Sequence, residues 1–189
     1  VKTFHRTTGR VAVLDRGDID TDQIIPKQFL KRIERTGFGE FLFFDWAKDP
    51  DFALRRPEAQ GATILLTGRN FGCGSSREHA AWALQDYGFD VVAAPSFGDI
   101  FRTNCLKIGL LPVVLPEEQL RELMAVGSGA ELTVDLEERT IGRYPFELDD
   151  FDRQRLLEGL DDIGLTQRHD GEIAAFEAAH PSPIATTAL

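Results

Sequence analysis

The chain has 189 residues, 42% of them hydrophobic and 28% charged, which suits a soluble globular protein with one buried core. Thirty-one acidic residues against 21 basic ones give a formal net charge of −10, which excludes broad binding to nucleic acid or to an anionic membrane surface. Two cysteines, Cys73 and Cys105, are too few for a disulfide scaffold or a four-thiolate iron–sulfur site.

No apolar run reaches the ~20 residues of a membrane span and no signal peptide opens the sequence, so a cytoplasmic protein is expected. In chain order, the pattern predicts a strand over residues 9–14 and then an acidic loop, Asp15 to Asp22. Residues 27–46 mix phenylalanines with basic side chains, and Gly37 and Gly39 suggest a mobile loop that docks on something. A strand at 63–67 leads through a glycine loop into a helix from about Ser76 to Tyr87, with Gly88 as its C-cap. A strand at 91–94, a helix from Asp99 to about Lys107 and a strand at 110–115 follow. Strand, helix and strand in succession imply right-handed crossovers and parallel pairing. Pro116 and two glutamates open a helix to about Ala125, and residues 131–136 and 140–148 read as a hairpin. Helices near 150–160 and 170–179 precede a tail, 181–189, expected to be disordered. The expectation is one α/β domain over residues 1–180, with a central parallel sheet and added antiparallel strands.

The run from Asn70 to Ala80 carries the chemistry. A loop that hands a strand to a helix offers free backbone N–H groups and a positive dipole end to an anion. Arg77 adds a planar, permanently charged fork suited to a carboxylate or phosphate. Ser75 and Glu78 also match the S-x-x-E capping box, so on spacing alone Ser75 reads first as a helix cap, and Gly72 and Gly74 as a tight turn. A dinucleotide fingerprint fails because Arg77 stands where the third glycine belongs, and no Gly-Lys-Ser/Thr makes a phosphate loop. The nucleophile elbow fails because no glycine follows Ser75 at the needed place, which disfavours a serine hydrolase.

Gly72-x-Gly74-Ser75-Ser76-Arg77-Glu78-His79-Ala80 resembles the signature of the swivelling domain of the aconitase superfamily. Asp20-Thr21-Asp22-Gln23-Ile24-Ile25-Pro26 is similar to the entry motif of that domain. Their order and spacing resemble the separate small subunit of bacterial 3-isopropylmalate dehydratases, as do Thr36 to Gly39, Asp86 to Phe89, Pro95 to Phe101 and Gly159 to Thr166. The resemblance implies a three-layer β/β/α swivelling domain. It also implies isomerisation of 2- and 3-isopropylmalate through isopropylmaleate in leucine biosynthesis. In that family Ser75 would be the base, Ser76 and Arg77 would hold substrate carboxylates, and Gly72 and Gly74 would shape the loop. A [4Fe–4S] cluster would be held by a large-subunit partner and not by this chain, with Cys73 packing in the loop rather than ligating.

The loop after Pro26 corresponds to the substrate-recognition loop of the family. Phe29 and Leu30 could line an apolar pocket there, while Lys31 and Arg32 could contact a carboxylate or lie on the solvated surface. The Phe-rich segment 38–46 and parts of the acidic loop are candidates for the partner interface, with burial in the chain's own core the heavier reading for several phenylalanines. Alternatives kept open are a related hydro-lyase subunit for homoaconitate, citraconate or dimethylmalate, and a non-catalytic anion-binding regulatory module.

Overall fold

The computed structural model describes residues 1–31 and 36–180. It divides into two compact units, Val1–Gly159 and the segment from Leu160 onward. Arg32, one of the two basic candidates of the recognition loop, and the tail expected at 181–189 lie outside the described residues.

The first unit is built on a seven-stranded sheet of order β4-β3-β2-β1-β5-β6-β7. Its strands are β1 (Arg6–Leu14), β2 (Ile64–Thr67), β3 (Val91–Ala94), β4 (Leu111–Val114), β5 (Glu131–Asp135), β6 (Thr140–Ile141) and β7 (Tyr144–Pro145). β1 joins the parallel and antiparallel parts. Its Arg6 to Arg10 half ladders antiparallel with β5, and its Val11 to Leu14 half pairs parallel with β2, Val11 opposite Ile64. The parallel pairing expected from the strand–helix–strand rhythm continues from β2 to β3 and β4. Pro112 and Pro145 are tolerated because β4 and β7 are the edge strands, where a missing N–H leaves no gap in an interior ladder.

Every residue of β2 and β3 is buried, as an apolar run covered on both faces requires. Alternation then sorts the side chains into two cores. Leu65, Val92 and Ala94 face the first, with Ala80, Ala83 and Leu84 of α2 (Glu78–Tyr87) and Phe101 and Cys105 of α3 (Asp99–Ile108). Ile64, Leu66, Val91 and Ala93 face the second, joined by Val134 and Ile141 of the antiparallel strands. Leu120 and Leu123 of α4 (Glu117–Met124) and Leu156 of α5 (Asp150–Glu158) cover it.

The Phe-rich segment belongs to the first core. It forms a chain of short 3-10 turns in which Phe38 and Phe43 are fully buried and Leu42 and Phe52 nearly so. Phe43 stacks on Trp46 with ring centroids 5.3 Å apart, and its N–H donates to the Ile24 carbonyl at 2.8 Å. These side chains are therefore occupied within the chain. Aromatic rings at irregular spacing carry no helix or strand period, which is why the sequence pattern leaves this region unassigned.

Two further differences have local causes. Residues 140–148 are not one strand, because Gly142 adopts φ +56° and turns the chain between β6 and β7. In the second unit an unpredicted short helix, α6 (Asp162–Gln167), starts where the Asp161 carboxylate accepts from the Gly164 N–H at 2.7 Å. The expected α7 (Asp170–Ala179) follows it.

The loops at the carboxyl ends of the parallel strands are laced backbone to backbone. Gly72 N–H donates to the Ile19 carbonyl at 2.7 Å and Thr21 N–H to the Cys73 carbonyl at 2.9 Å. Phe71 N–H donates to Ser96 and Gly98 N–H to Phe71, at 3.0 and 2.9 Å. Gly72 has φ +73°, and a Cβ there would sit 2.2 Å from the Phe101 ring.

Two expectations test this packing. Phe43→Ala should cost about 3–5 kcal/mol in denaturant unfolding of the isolated chain, the loss for a buried ring left as a cavity; a residue reserved for a partner would leave that midpoint unchanged. Gly72→Ala should cost about 2–4 kcal/mol by the same measurement, from positive φ and overpacking together.

Candidate active site

The Asp20-to-Pro26 motif forms a short helix, α1 (Thr21–Ile24), and the capping box sits here. The Asp20 carboxylate accepts from the Gln23 N–H at 2.8 Å, and the Gln23 side-chain oxygen accepts from the Asp20 N–H at 2.9 Å. This arrangement orients Thr21 and Asp22 toward the glycine loop. Thr21 Oγ1 donates to the Ser75 carbonyl at 3.1 Å, and Asp22 is ion-paired with Arg77.

The capping box expected at Ser75 and Glu78 does not form. α2 begins at Glu78, with Arg77 as its N-cap at φ −131° and ψ 112°, and no side chain caps it. The cause is the path of the loop: Gly72 and Gly74, at φ +73° and +93°, turn the chain, and Arg77, tied to Asp22, is extended, so the helix starts only at Glu78. Ser75 is therefore freed from the capping role that its spacing suggested. It lies exposed on the loop, held through its carbonyl. The α2 amino end keeps unsatisfied N–H groups directed away from the helix, the feature that draws an anion.

Ser76, Arg77, Glu78 and His79 line an open groove of about 870 Å³ together with Leu30 and a face of α3, Asp99, Ile100, Thr103, Asn104 and Lys107. The structure thus brings Ser76 and Arg77 into one groove. Ser75 borders the same loop without lining the groove, and Lys31 does not line it, whereas its neighbour Leu30 does. The Arg77 side chain is only 15% exposed, so its charge is held at the groove wall rather than in bulk water. The α3 contribution escapes motif reading, although its spacing on one helix face, recurring every three or four residues, is a signal in the sequence. Asp22 is likewise missed as the partner of Arg77.

The ionisable groups around the loop are set for a neutral reaction medium. Burial lowers the His79 pKa, opposed by Glu78 and aided by Arg77, so the ring is neutral at pH 7. Its imidazole meets Phe38 edge-on at 5.1 Å, a packing role. The Cys73 thiol is pushed up, first by burial and then by Asp20 and Asp18. Burial also pushes the Cys105 thiol well up in the first core. Asp18 is held below its usual range chiefly by the Asn70 amide, which bonds it at 2.9 Å. Among the described residues no group of three or more His, Cys, Asp or Glu side chains could hold a metal ion.

Comparison with known proteins identifies the family. The family model of the aconitase C-terminal domain matches residues 1–118, and that of the C-terminal domain of the 3-isopropylmalate dehydratase small subunit matches residues 162–182. The chain is 57% identical to the 3-isopropylmalate dehydratase small subunit of Rubrobacter xylanophilus, over 96% of each chain. It is 56% identical to the protein of that name from Parafrankia sp., over 100% of both. The crystal structure of a 3-isopropylmalate dehydratase from Methanocaldococcus jannaschii superposes with a TM-score of 0.67, at 24% identity, over 90% of this chain and 99% of that one, a likeness of fold. These relatives carry the isopropylmalate name, not that of a homoaconitate, citraconate or dimethylmalate enzyme. With near-complete coverage at such identity, the chain belongs to the family of 3-isopropylmalate dehydratase small subunits.

Proposed function

We propose that this chain supplies half of a hydro-lyase site that interconverts 2-isopropylmalate and 3-isopropylmalate through isopropylmaleate, in the leucine pathway of the cytoplasm. Arg77 carries the proposal: a mostly covered arginine side chain beside Ser76, at an uncapped helix start that opens into a groove. That is a carboxylate site by charge, by planar donor geometry and by dipole.

Ser75 is the proposed base. It takes the proton from the carbon next to a substrate carboxylate, and the electron pair left behind is drawn toward that carboxylate as the neighbouring hydroxyl departs. Isopropylmaleate results. Water then adds across the double bond in the opposite sense, and Ser75 returns the proton. A serine oxygen holds negative charge only where positive potential stabilises it, which Arg77 and the α2 amino end provide once water is excluded. Ser76 and Arg77 hold the carboxylate that gains charge during proton removal. Asp22 keeps the Arg77 fork in place, leaving its remaining N–H donors for substrate.

The residues of this chain do not suit an iron–sulfur cluster, since it has only two cysteines, Cys105 is buried in the first core, and no third ligand joins Cys73 among the described residues. The [4Fe–4S] cluster implied by the family resemblance would belong to the large subunit, where it would act as Lewis acid on the departing hydroxyl. The large subunit would also roof the open groove and exclude water from it.

The chain mixed anaerobically with its large subunit should hydrate isopropylmaleate, and neither alone should do so; turnover by this chain alone would contradict a divided site. Ser75→Ala should lower kcat by at least about a thousandfold with assembly intact, since it removes the proton acceptor itself. Near-normal turnover in that variant would place the base elsewhere. Asp22→Ala should lower kcat/KM about tenfold or more by loosening the Arg77 fork, and an unchanged value would deny Asp22 that role.

A further inference from the structure

The chain has four histidines, and three of them engage an oxygen of the chain. His5 and His169 set a ring nitrogen 3.2 and 3.1 Å from the Glu137 and Glu172 carboxylates, and His180 sets one 3.0 Å from the Phe176 carbonyl. His79 makes no such bond among the described residues, and neither of its ring nitrogens is sealed from solvent. Its ring is held all the same. The fully buried Phe38 meets it edge-on with centroids 5.1 Å apart, and Trp82 lies against it at 4.7 Å. Those contacts leave the partly covered side chain lining the groove with Ser76 and Arg77. An imidazole fixed by aromatic packing, with open nitrogens, is a directional donor that loses little freedom on binding a ligand.

The groove has no spare charge. Arg77 is paired with Asp22, and Glu78 and Asp99 of the lining match Arg77 and Lys107. A dicarboxylate therefore needs a donor that does not rely on net charge, or a group that gains charge as it binds. An imidazole provides both near neutral pH. Burial, the largest effect, keeps the His79 ring neutral in the free chain, while Glu78 and Arg77 act on it in opposite directions. Asp99 and Lys107 complete the charged lining.

We propose that His79 is a further substrate-binding residue of the reaction, donating a ring N–H to the carboxylate that Ser76 and Arg77 hold. The proposal rests on the reading of the groove as the substrate site. The bound dianion favours the imidazolium, so binding draws a proton onto the ring. Affinity then rises as pH falls through the titration of the free ring, where the same N–H already carries positive charge.

The test uses the assembled two-subunit enzyme with His79→Phe and His79→Gln. Phenylalanine keeps a ring against Phe38 and Trp82 but has no nitrogen, whereas glutamine keeps a donor and loses the ring. The readouts are KM and kcat for 2-isopropylmalate across pH, and the inhibition constant of the dead-end analogue 2-isopropylsuccinate. His79→Phe should raise KM and the inhibition constant about tenfold, with a smaller change in kcat, and should flatten their pH dependence. His79→Gln should recover part of the loss. A packing role predicts the reverse order, so a larger loss in His79→Gln, or unchanged constants in His79→Phe, would overturn the proposal. If the variants do not assemble, the native residue decides. With only this chain 13C-labelled, and its exposed His5, His169 and His180 replaced by glutamine, the His79 titration followed by NMR should move to higher pH when 2-isopropylsuccinate binds. An unmoved titration counts against the contact. Arg77→Gln, run alongside, separates the two levels. Lost analogue binding there with unaltered His79→Phe removes His79 alone, whereas unaltered binding in Arg77→Gln removes the site reading and His79 with it.

Discussion

The backbone lacing between three loops holds the site together. Ile19 to Gly72, Thr21 to Cys73, and Phe71 to Ser96 and Gly98 are main-chain hydrogen bonds of 2.7–3.0 Å that join the ends of β1, β2 and β3. Such bonds need the backbones to approach closely, and a side chain at Gly72 or Gly98 would prevent it. A Cβ on Gly98 would come within 2.6 Å of the Gly72 carbonyl oxygen. From this lacing follow the turning path through Gly72 and Gly74, the late start of α2 and the proximity of Asp22 to Arg77.

The two cores explain why those loops are held at one end of the sheet. Parallel strands end together, and their carboxyl ends are where the connecting loops leave for the covering helices. The first core fixes α2 and α3 against the sheet through small side chains, Ala80, Ala83 and Cys105 among them, which bring the two helices close together. The groove along Ser76–His79 and α3 is the space left between them, and its polarity is set by which helix faces remain uncovered. Phe38 and Phe43, candidates for a partner interface by sequence, are spent on closing this core. Those two rings are therefore not free for contact with a large subunit.

The groove does not reverse the overall acidic balance, since Glu78 and Asp99 line it beside Arg77 and Lys107. What singles out its Ser76–Arg77 end is one mostly covered arginine side chain next to a helix amino end. Asp22 keeps the Arg77 charge paired in the free chain and fixes the direction in which the fork points. Under the proposed function, a substrate carboxylate would meet donors already aimed, without the cost of ordering a long side chain on binding.

Short-range pattern made much of this legible. The strands 64–67, 91–94 and 111–114 read as apolar runs, Gly88 ends a helix, and the Gly-Ser-Ser-Arg run marks the turn between β2 and α2, all of which depend on neighbours in sequence. Ser75 shows the boundary of that method: its spacing to Glu78 satisfies a capping box, but contacts with Thr21 and the pull of Asp22 on Arg77, more than 50 residues away, hold Ser75 and Arg77 outside the helix. The same holds for the Phe-rich segment, whose burial depends on which helices cover it, and for Asn104 and Lys107, which read as ordinary helix residues until α2 is set beside them. Local propensity and motif spacing determined the elements, the family and the residue types of the site. Which hydroxyl is free, which cation is paired and which helix face lines the groove were decided by tertiary packing, because those properties depend on desolvation and on partners distant in sequence.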